Sequence, residues 1–214
     1  MALAVDVFWS FRSPYSYLAT PRLVEIARKY DVDLRVRPVL PIAIRTPEFF
    51  EQVNPLWPLY LLRDTTRIAE FLGIPYQWPR PDPVVQEFPS RRIAAEQPYI
   101  HRLTRLGVEA VRRGRGLPFI SEVSRLIWGG TADWHEGRHL ADAARRADLD
   151  LAAMERALAE PASHDAEIEA NQEALQAAGH WGVPTMVFEG EPFFGQDRID
   201  LLLWRLRQHG LRER

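Results

Sequence analysis

Hydrophobic positions change period three times along the chain. Leu3 to Trp9 is a short, nearly continuous apolar run, the signature of a buried strand. From Pro14 to about Tyr30 the apolar residues Leu23, Ile26, Ala27 and Tyr30 recur with a helical period, and Pro21 inside that span predicts a kink or a restart. Val32 to Val39 alternates, with Val32, Leu34 and Val36 on one side and Asp33, Arg35 and Arg37 on the other. This strand-helix-strand unit predicts a parallel pair joined by a right-handed crossover. Helical patterning then covers 58–72, 91–113, 118–128, 138–147, 150–159 and 162–178, with Pro- and Gly-rich breaks such as Trp78-Pro79-Arg80-Pro81-Asp82-Pro83. Strand signals return at Thr185–Phe188 and Pro192–Phe194, joined by the turn Glu189-Gly190. Gly195-Gln196-Asp197 starts a last amphipathic helix with Ile199, Leu202, Leu203 and Leu206 on its apolar side.

That order predicts an α/β fold: a thioredoxin-like βαβ…ββα core with a large all-helical insertion. The core is expected from 1–40 and 179–214, the insertion from 41–178. At 214 residues the chain is long enough to bury a full core. Its net charge of -2 gives no field that calls for nucleic acid or an anionic membrane. No apolar run approaches the length of a membrane span, and the N-terminus lacks a basic region leading into an apolar core and a small-residue cleavage site. The expected location is the cytoplasm. Lys29 is the only lysine.

The absence of cysteine changes the picture most. It excludes disulfides, thiolate metal sites and intrinsic dithiol chemistry. Yet Ser13 stands at the strand-to-helix junction where a redox enzyme of this fold would keep a cysteine. Ser13 is the natural N-cap and Pro14 the first helical residue, so the hydroxyl sits beside free N–H groups at the positive end of a helix dipole. That corner suits an anion. A plain helix cap is the simpler reading unless a second element faces it.

Gly182-Val183-Pro184-Thr185 is that element. Pro184 enters a strand after a long helix, a position where this core usually has a cis proline and an exposed backbone able to pair with an extended peptide. Phe193-Phe194-Gly195-Gln196-Asp197-Arg198 is a third element: its backbone N–H groups suit a carboxylate and Asp197 suits an ammonium, so together they fit an α-amino acid head group.

These segments carry a resemblance. Phe11 to Ala19 contains Ser-Pro-Tyr-Ser-Tyr-Leu-Ala, and Gly182 to Arg198 contains Gly-Val-Pro-Thr and Phe-Phe-Gly-Gln-Asp-Arg. Tyr60-x3-Asp64-x2-Arg67 fits as well. Over nearly its whole length the chain resembles the 2-hydroxychromene-2-carboxylate isomerase family, related to kappa-class glutathione transferases and to DsbA-like proteins. The resemblance implies glutathione as cofactor, with Ser13 meeting its sulfur, the Val183 backbone pairing with the tripeptide beside Trp181 and Pro184, and Phe194, Gly195, Gln196 and Asp197 holding the γ-glutamyl end. It implies a glutathione-dependent cis–trans isomerase acting on an aromatic or unsaturated keto acid, and a homodimer. The family often places lysines in the substrate region, but here those neighbourhoods read Ile42-Ala43-Ile44-Arg45 and Trp57. Arg45, Asn54 and Tyr76 are the substrate-binding candidates. A kappa-like transferase, and a non-catalytic module holding a peptide or metabolite, stay open as alternatives.

Three further features have plain explanations. His135-x3-His139 would put two rings on one helix face but lacks a third ligand, so no metal is expected. Arg102, Arg105, Arg112, Arg113 and Arg115 read as a solvated helix face. Trp57, Trp78 and Trp181 are candidates for core or for the wall of an apolar substrate site.

Overall fold

The computed structural model describes residues 2–87, 90 and 92–214. Strand β1, Leu3–Trp9, leads through Ser13 into helix α1, Pro14–Lys29, and then into strand β2, Val32–Pro38. Helices α2 (Ile42–Arg45), α3 (Phe49–Gln52), α4 (Leu56–Leu72), α5 (Ile100–Arg112), α6 (Gly116–Trp128), α7 (His139–Arg146), α8 (Leu151–Ala157) and α9 (Ala162–Ala177) follow. Strands β3 (Thr185–Phe188) and β4 (Glu191–Phe194), a 3-10 turn over Gln196–Arg198, and α10 (Ile199–Gln208) complete the chain. The fold is the mixed α/β, thioredoxin-like arrangement that the periodicity implies. Among the described residues no helix is long and apolar enough to cross a membrane.

The sheet order is β2-β1-β3-β4. β2 runs parallel to β1, β3 antiparallel to β1, and β4 antiparallel to β3. The register pairs Trp9 with Pro38, Phe8 with Thr185, and Thr185 with Phe194. The exits of β1, β2 and β4 and the entry of β3 therefore lie at one end of the sheet. Every segment leaving that end is brought together by the ladder itself.

Alternation along β1 sends Val5, Val7 and Trp9 to one face, while Phe8 points to the other and packs with Val39 and Leu175 of α9. On the first face Val5 and Val7 meet Leu23 and Ile26 of α1 and Ile199, Leu202 and Leu206 of α10. Trp9, Phe11, Tyr17 and Leu18 instead join Leu103, Leu106, Phe119, Ile120 and Trp128. One apolar cluster thus runs from the strand-helix-strand unit into the helices between β2 and β3.

Several details differ from the sequence expectation. α1 continues through Pro21 without a break. A mid-helix proline costs about 3 kcal/mol, whereas burying Leu18, Leu23 and Ile26 gains roughly 1.5–3 kcal/mol each. The helix expected over 91–113 begins only at Ile100. Residue 91 lies outside the described residues. Pro98 disfavours helix just before it, and Gln97 instead bonds the N–H and carbonyl of Val85, holding this stretch against residues 85–94. His135 lies in a turn before α7 rather than on it, so His135 and His139 do not share a helix face. The arginine row of α5 and its end is no free solvated face: Arg105, Arg112 and Arg115 pair with Asp165, Glu167 and Asp148 of neighbouring segments.

Candidate functional site

Ser13 caps α1 as its sequence demands. The Ser13 Oγ accepts the N–H of Ser16 at 3.1 Å and donates to the carbonyl of Val183 at 3.2 Å. The second bond spans 170 residues of sequence, and it exists because β1 exits where β3 enters. The Val183–Pro184 peptide is cis, as expected; Arg80–Pro81 is cis as well.

The loop before β3 is fixed by bonds from every side. The Gly182 N–H donates to the His180 Nδ1 at 2.9 Å, and the Gly182 carbonyl accepts the Thr185 hydroxyl at 2.7 Å. Because Nδ1 accepts, the His180 proton resides on Nε2. Burial lowers the His180 pKa and so favours this neutral form. Its ring stacks on Phe194 with centroids 4.0 Å apart and on Trp181 at 5.5 Å. A Cβ on Gly182 would stand 2.5 Å from the Phe194 Cε2, so only glycine lets the loop lie against that ring. Among the described residues nothing accepts the Val183 N–H, which leaves one donor available to an extended ligand.

Beyond β4 the Gly195 N–H donates to the Pro184 carbonyl at 2.9 Å, tying the hairpin exit to the same loop. Gly195 has φ of 107°, a backbone conformation that side chains rarely tolerate. The next residues, Gln196 and Asp197, open the 3-10 turn, whose first N–H groups lack acceptors within it. Asp197 is exposed and pairs with Arg198 at 2.6 Å.

These pieces border one cavity of about 1080 Å³. Ser13, Val183, Phe194, Gly195, Gln196, Asp197, Trp181 and Arg45 all line it, and so do Trp57 and Trp78. Pro184 is buried behind its wall. Asn54 and Tyr76 are not part of the lining, so these two substrate candidates do not hold. The Asn54 Oδ1 accepts the Leu56 N–H at 3.0 Å and starts α4. The Tyr76 ring stacks between Tyr17 and Trp128, with its hydroxyl against Thr65.

Two groups on the cavity wall escape a motif reading. Arg12 makes bonds of 3.2 Å to both oxygens of Asp82 and lies over the Trp78 ring, whose indole N–H also donates to Asp82. Across the cavity, Asp64 accepts the hydroxyls of Tyr15 at 2.8 Å and Tyr60 at 3.2 Å, and pairs with Arg67. Burial, reinforced by that carboxylate, raises the Tyr15 pKa strongly. Tyr15 therefore keeps its proton and ties α1 to α4. The only sequence signal for the first group is the aspartate in Pro81-Asp82-Pro83. Its partner is separated by 70 residues. Among the described residues no three His, Cys, Asp or Glu side chains gather as a metal site.

Comparison with known proteins agrees with this geometry. A chain of Pseudomonas putida named 2-hydroxychromene-2-carboxylate isomerase is 28% identical over 205 residues, covering 94% of this chain and 92% of that one. A solved 2-hydroxychromene-2-carboxylate isomerase superposes with a TM-score of 0.70 at 23% identity, covering 96% of this chain and 95% of that chain. The cytosolic disulfide reductase DsbM of Pseudomonas aeruginosa, solved with glutathione, shares the fold with a TM-score of 0.60 at 18% identity, covering 96% of this chain and 100% of its own. The resemblance visible in the Ser13 and Val183 segments is thus matched over nearly the full length. The profile of the DSBA-like thioredoxin domain covers residues 4–207, which takes in both ends of the sheet and all the helices between, and the chain belongs to that family.

Proposed function

We propose that the protein is a glutathione-dependent cis–trans isomerase of an unsaturated or aromatic keto acid. The observation that carries this is the contact between the Ser13 hydroxyl and the Val183 carbonyl. It sets a proton donor at a helix N-terminus directly beside backbone that can pair with a peptide. The donor set fits the tripeptide: the Val183 N–H is open, the Gln196–Asp197 backbone suits a carboxylate, and the Asp197 side chain suits an ammonium. Freeing Asp197 from Arg198 costs little, because an exposed pair contributes roughly 0–1 kcal/mol. The relatives named as isomerases, and the neighbour of this fold solved with glutathione, point the same way.

Bound glutathione supplies a thiolate that adds reversibly to a conjugated carbon, permits rotation about the resulting single bond, and departs unconsumed. Ser13 supplies the proton of a charge-assisted hydrogen bond to that sulfur. To do so its hydroxyl turns away from Val183, and the released Val183 carbonyl accepts an N–H of the tripeptide. No side chain able to remove the Ser13 proton is bonded to it, so Ser13 stabilises an anion and does not attack. Trp57, Trp78 and Trp181 line the rest of the cavity and keep water from the reacting carbon.

The test follows 2-hydroxychromene-2-carboxylate spectroscopically, with and without glutathione, and counts free thiol before and after. Conversion that needs glutathione and conserves thiol is expected. Conversion without glutathione refutes the reading, and stoichiometric loss of thiol replaces it with a transferase.

A further inference from the structure

Arg45 lines the cavity as a cation without a counter-charge. Its Nε donates to the Leu40 carbonyl and its Nη2 to the Trp181 carbonyl, each at 2.8 Å. Among the described residues no carboxylate pairs with it, whereas arginines elsewhere, on the cavity rim and between the helices, mostly do. Its surroundings desolvate it and lower its pKa. A half-buried guanidinium held only by neutral carbonyls retains an unanswered charge.

The two carbonyl bonds use one edge of the guanidinium. Arginine has five N–H donors, so three remain: two on Nη1 and the second on Nη2. That open edge matches a carboxylate through two parallel bonds while both carbonyl bonds stay in place. Nearby, Phe49 meets Trp57 with centroids 5.8 Å apart and Trp181 at 5.5 Å, and all three rings line the cavity. Charge and flat apolar walls coincide in the same compartment.

The position of Arg45 adds a second consequence. Trp181, whose carbonyl it holds, is two residues before Val183. Leu40, at its other bond, lies just beyond the end of β2. Arg45 therefore clamps the peptide-pairing loop to the sheet. An anion that docks only when the guanidinium is in this orientation favours the clamped loop.

We infer that Arg45 forms a subsite for a flat organic monoanion and couples it to the thiol site, so that anion and glutathione each strengthen binding of the other. The coupling rests on the thiol reading above; the subsite stands without it. The two effects are reciprocal by linkage.

Calorimetric titration with 2-naphthoate and its neutral twin 2-naphthamide tests both parts. Wild-type protein should bind the carboxylate roughly tenfold or more tighter than the amide, and Arg45→Met should abolish that preference. Saturating glutathione should tighten 2-naphthoate binding by about fivefold or more. In Arg45→Lys, which keeps the charge but cannot bond both carbonyls, the coupling should vanish. Equal affinity of carboxylate and amide for the wild type overturns the subsite, and this comparison does not depend on any variant folding. A preference that survives Arg45→Met overturns it too. Glutathione that binds but leaves 2-naphthoate affinity unchanged overturns the coupling. A wild type that ignores glutathione, yet shows the Arg45-dependent preference, overturns the thiol reading and the coupling while the subsite stands.

Discussion

Ser13→Gly separates the two tasks of one hydroxyl. Ser13 Oγ caps α1 through Ser16 and bonds the Val183 carbonyl. Replacing a serine cap by alanine costs about 1 kcal/mol, but by glycine only a few tenths, so Ser13→Gly removes the hydroxyl with little loss of helix stability. The effect on the thiol is a difference of two bonds. A hydroxyl-to-thiolate bond is worth about 1.5–3 kcal/mol, and the neutral bond to Val183 that it replaces about 1 kcal/mol. The net gain is about 0.5–2 kcal/mol, or about 0.4–1.5 pKa units at 1.36 kcal/mol per unit. The helix dipole contributes a further roughly 0.3–1 kcal/mol that glycine leaves in place. The thiolate absorbance of bound glutathione, titrated against pH, should therefore shift upward by about 0.4–1.5 units in Ser13→Gly and stay below the free thiol. Ser13→Ala should give the same shift with a lower melting temperature. Identical midpoints for wild type and both variants, all three saturated with glutathione, would refute the role.

Gly182→Ala places a Cβ 2.5 Å from the Phe194 ring, and the overpacking should cost roughly 1–3 kcal/mol in thermal unfolding together with glutathione affinity; an unaltered melting temperature would contradict the close approach. For Glu109, burial works to raise the pKa, yet hydrogen bonds from His164 and Arg113 prevail and lower it. The unfolded chain therefore binds this proton first as pH falls, so the stabilisation is full above the unfolded value of about 4.3 and is lost as pH drops through the lower folded value. Glu109→Gln should flatten the acid limb of a stability-against-pH curve below that point, and superimposable limbs would count against the pair. Tyr15→Phe should destabilise the protein by about 1 kcal/mol in chemical denaturation and loosen the contact of α1 with α4, read as faster amide exchange over 56–64; exchange as slow as in wild type would show that Asp64 does not join the helices.

Local chemistry was legible where it was local. The Ser13-Pro14 junction follows from cap and proline preferences alone, and β1, β2 and the hairpin from strand periodicity. α1 shows where a local rule yields: Pro21 argued for a break, and burial of Leu18, Leu23 and Ile26 overrode it. Segment 92–99 shows the reverse, because apolar spacing there was not helical order; Pro98 and the Gln97 amide decided it. What sequence could not show were pairings across large separations. Asp82 belongs to Arg12, Asp64 to Tyr15, and the Trp181 carbonyl to Arg45, at separations of 70, 49 and 136 residues. Tyr76 looked available as an aromatic near the insertion, but two neighbouring rings use it as core.

The serine spacing completes the argument about sulfur. Ser13-x-x-Ser16 has the interval of the C-x-x-C dithiol motif at the start of a helix following a strand. The two hydroxyls do not have equal standing. Ser13 lines the cavity, while Ser16 is fully buried and its Oγ makes no hydrogen bond. A dithiol site needs its second sulfur close behind the first to resolve a mixed disulfide. Here the second position holds an inert hydroxyl out of reach of the cavity, and the chain contains no cysteine to replace it. A sulfur entering from outside thus meets one hydroxyl, one open N–H at Val183 and a helix N-terminus, which stabilise a thiolate but cannot oxidise it. Chemistry at this corner is confined to reversible addition or transfer by a borrowed thiol, and conservation or consumption of that thiol decides between them.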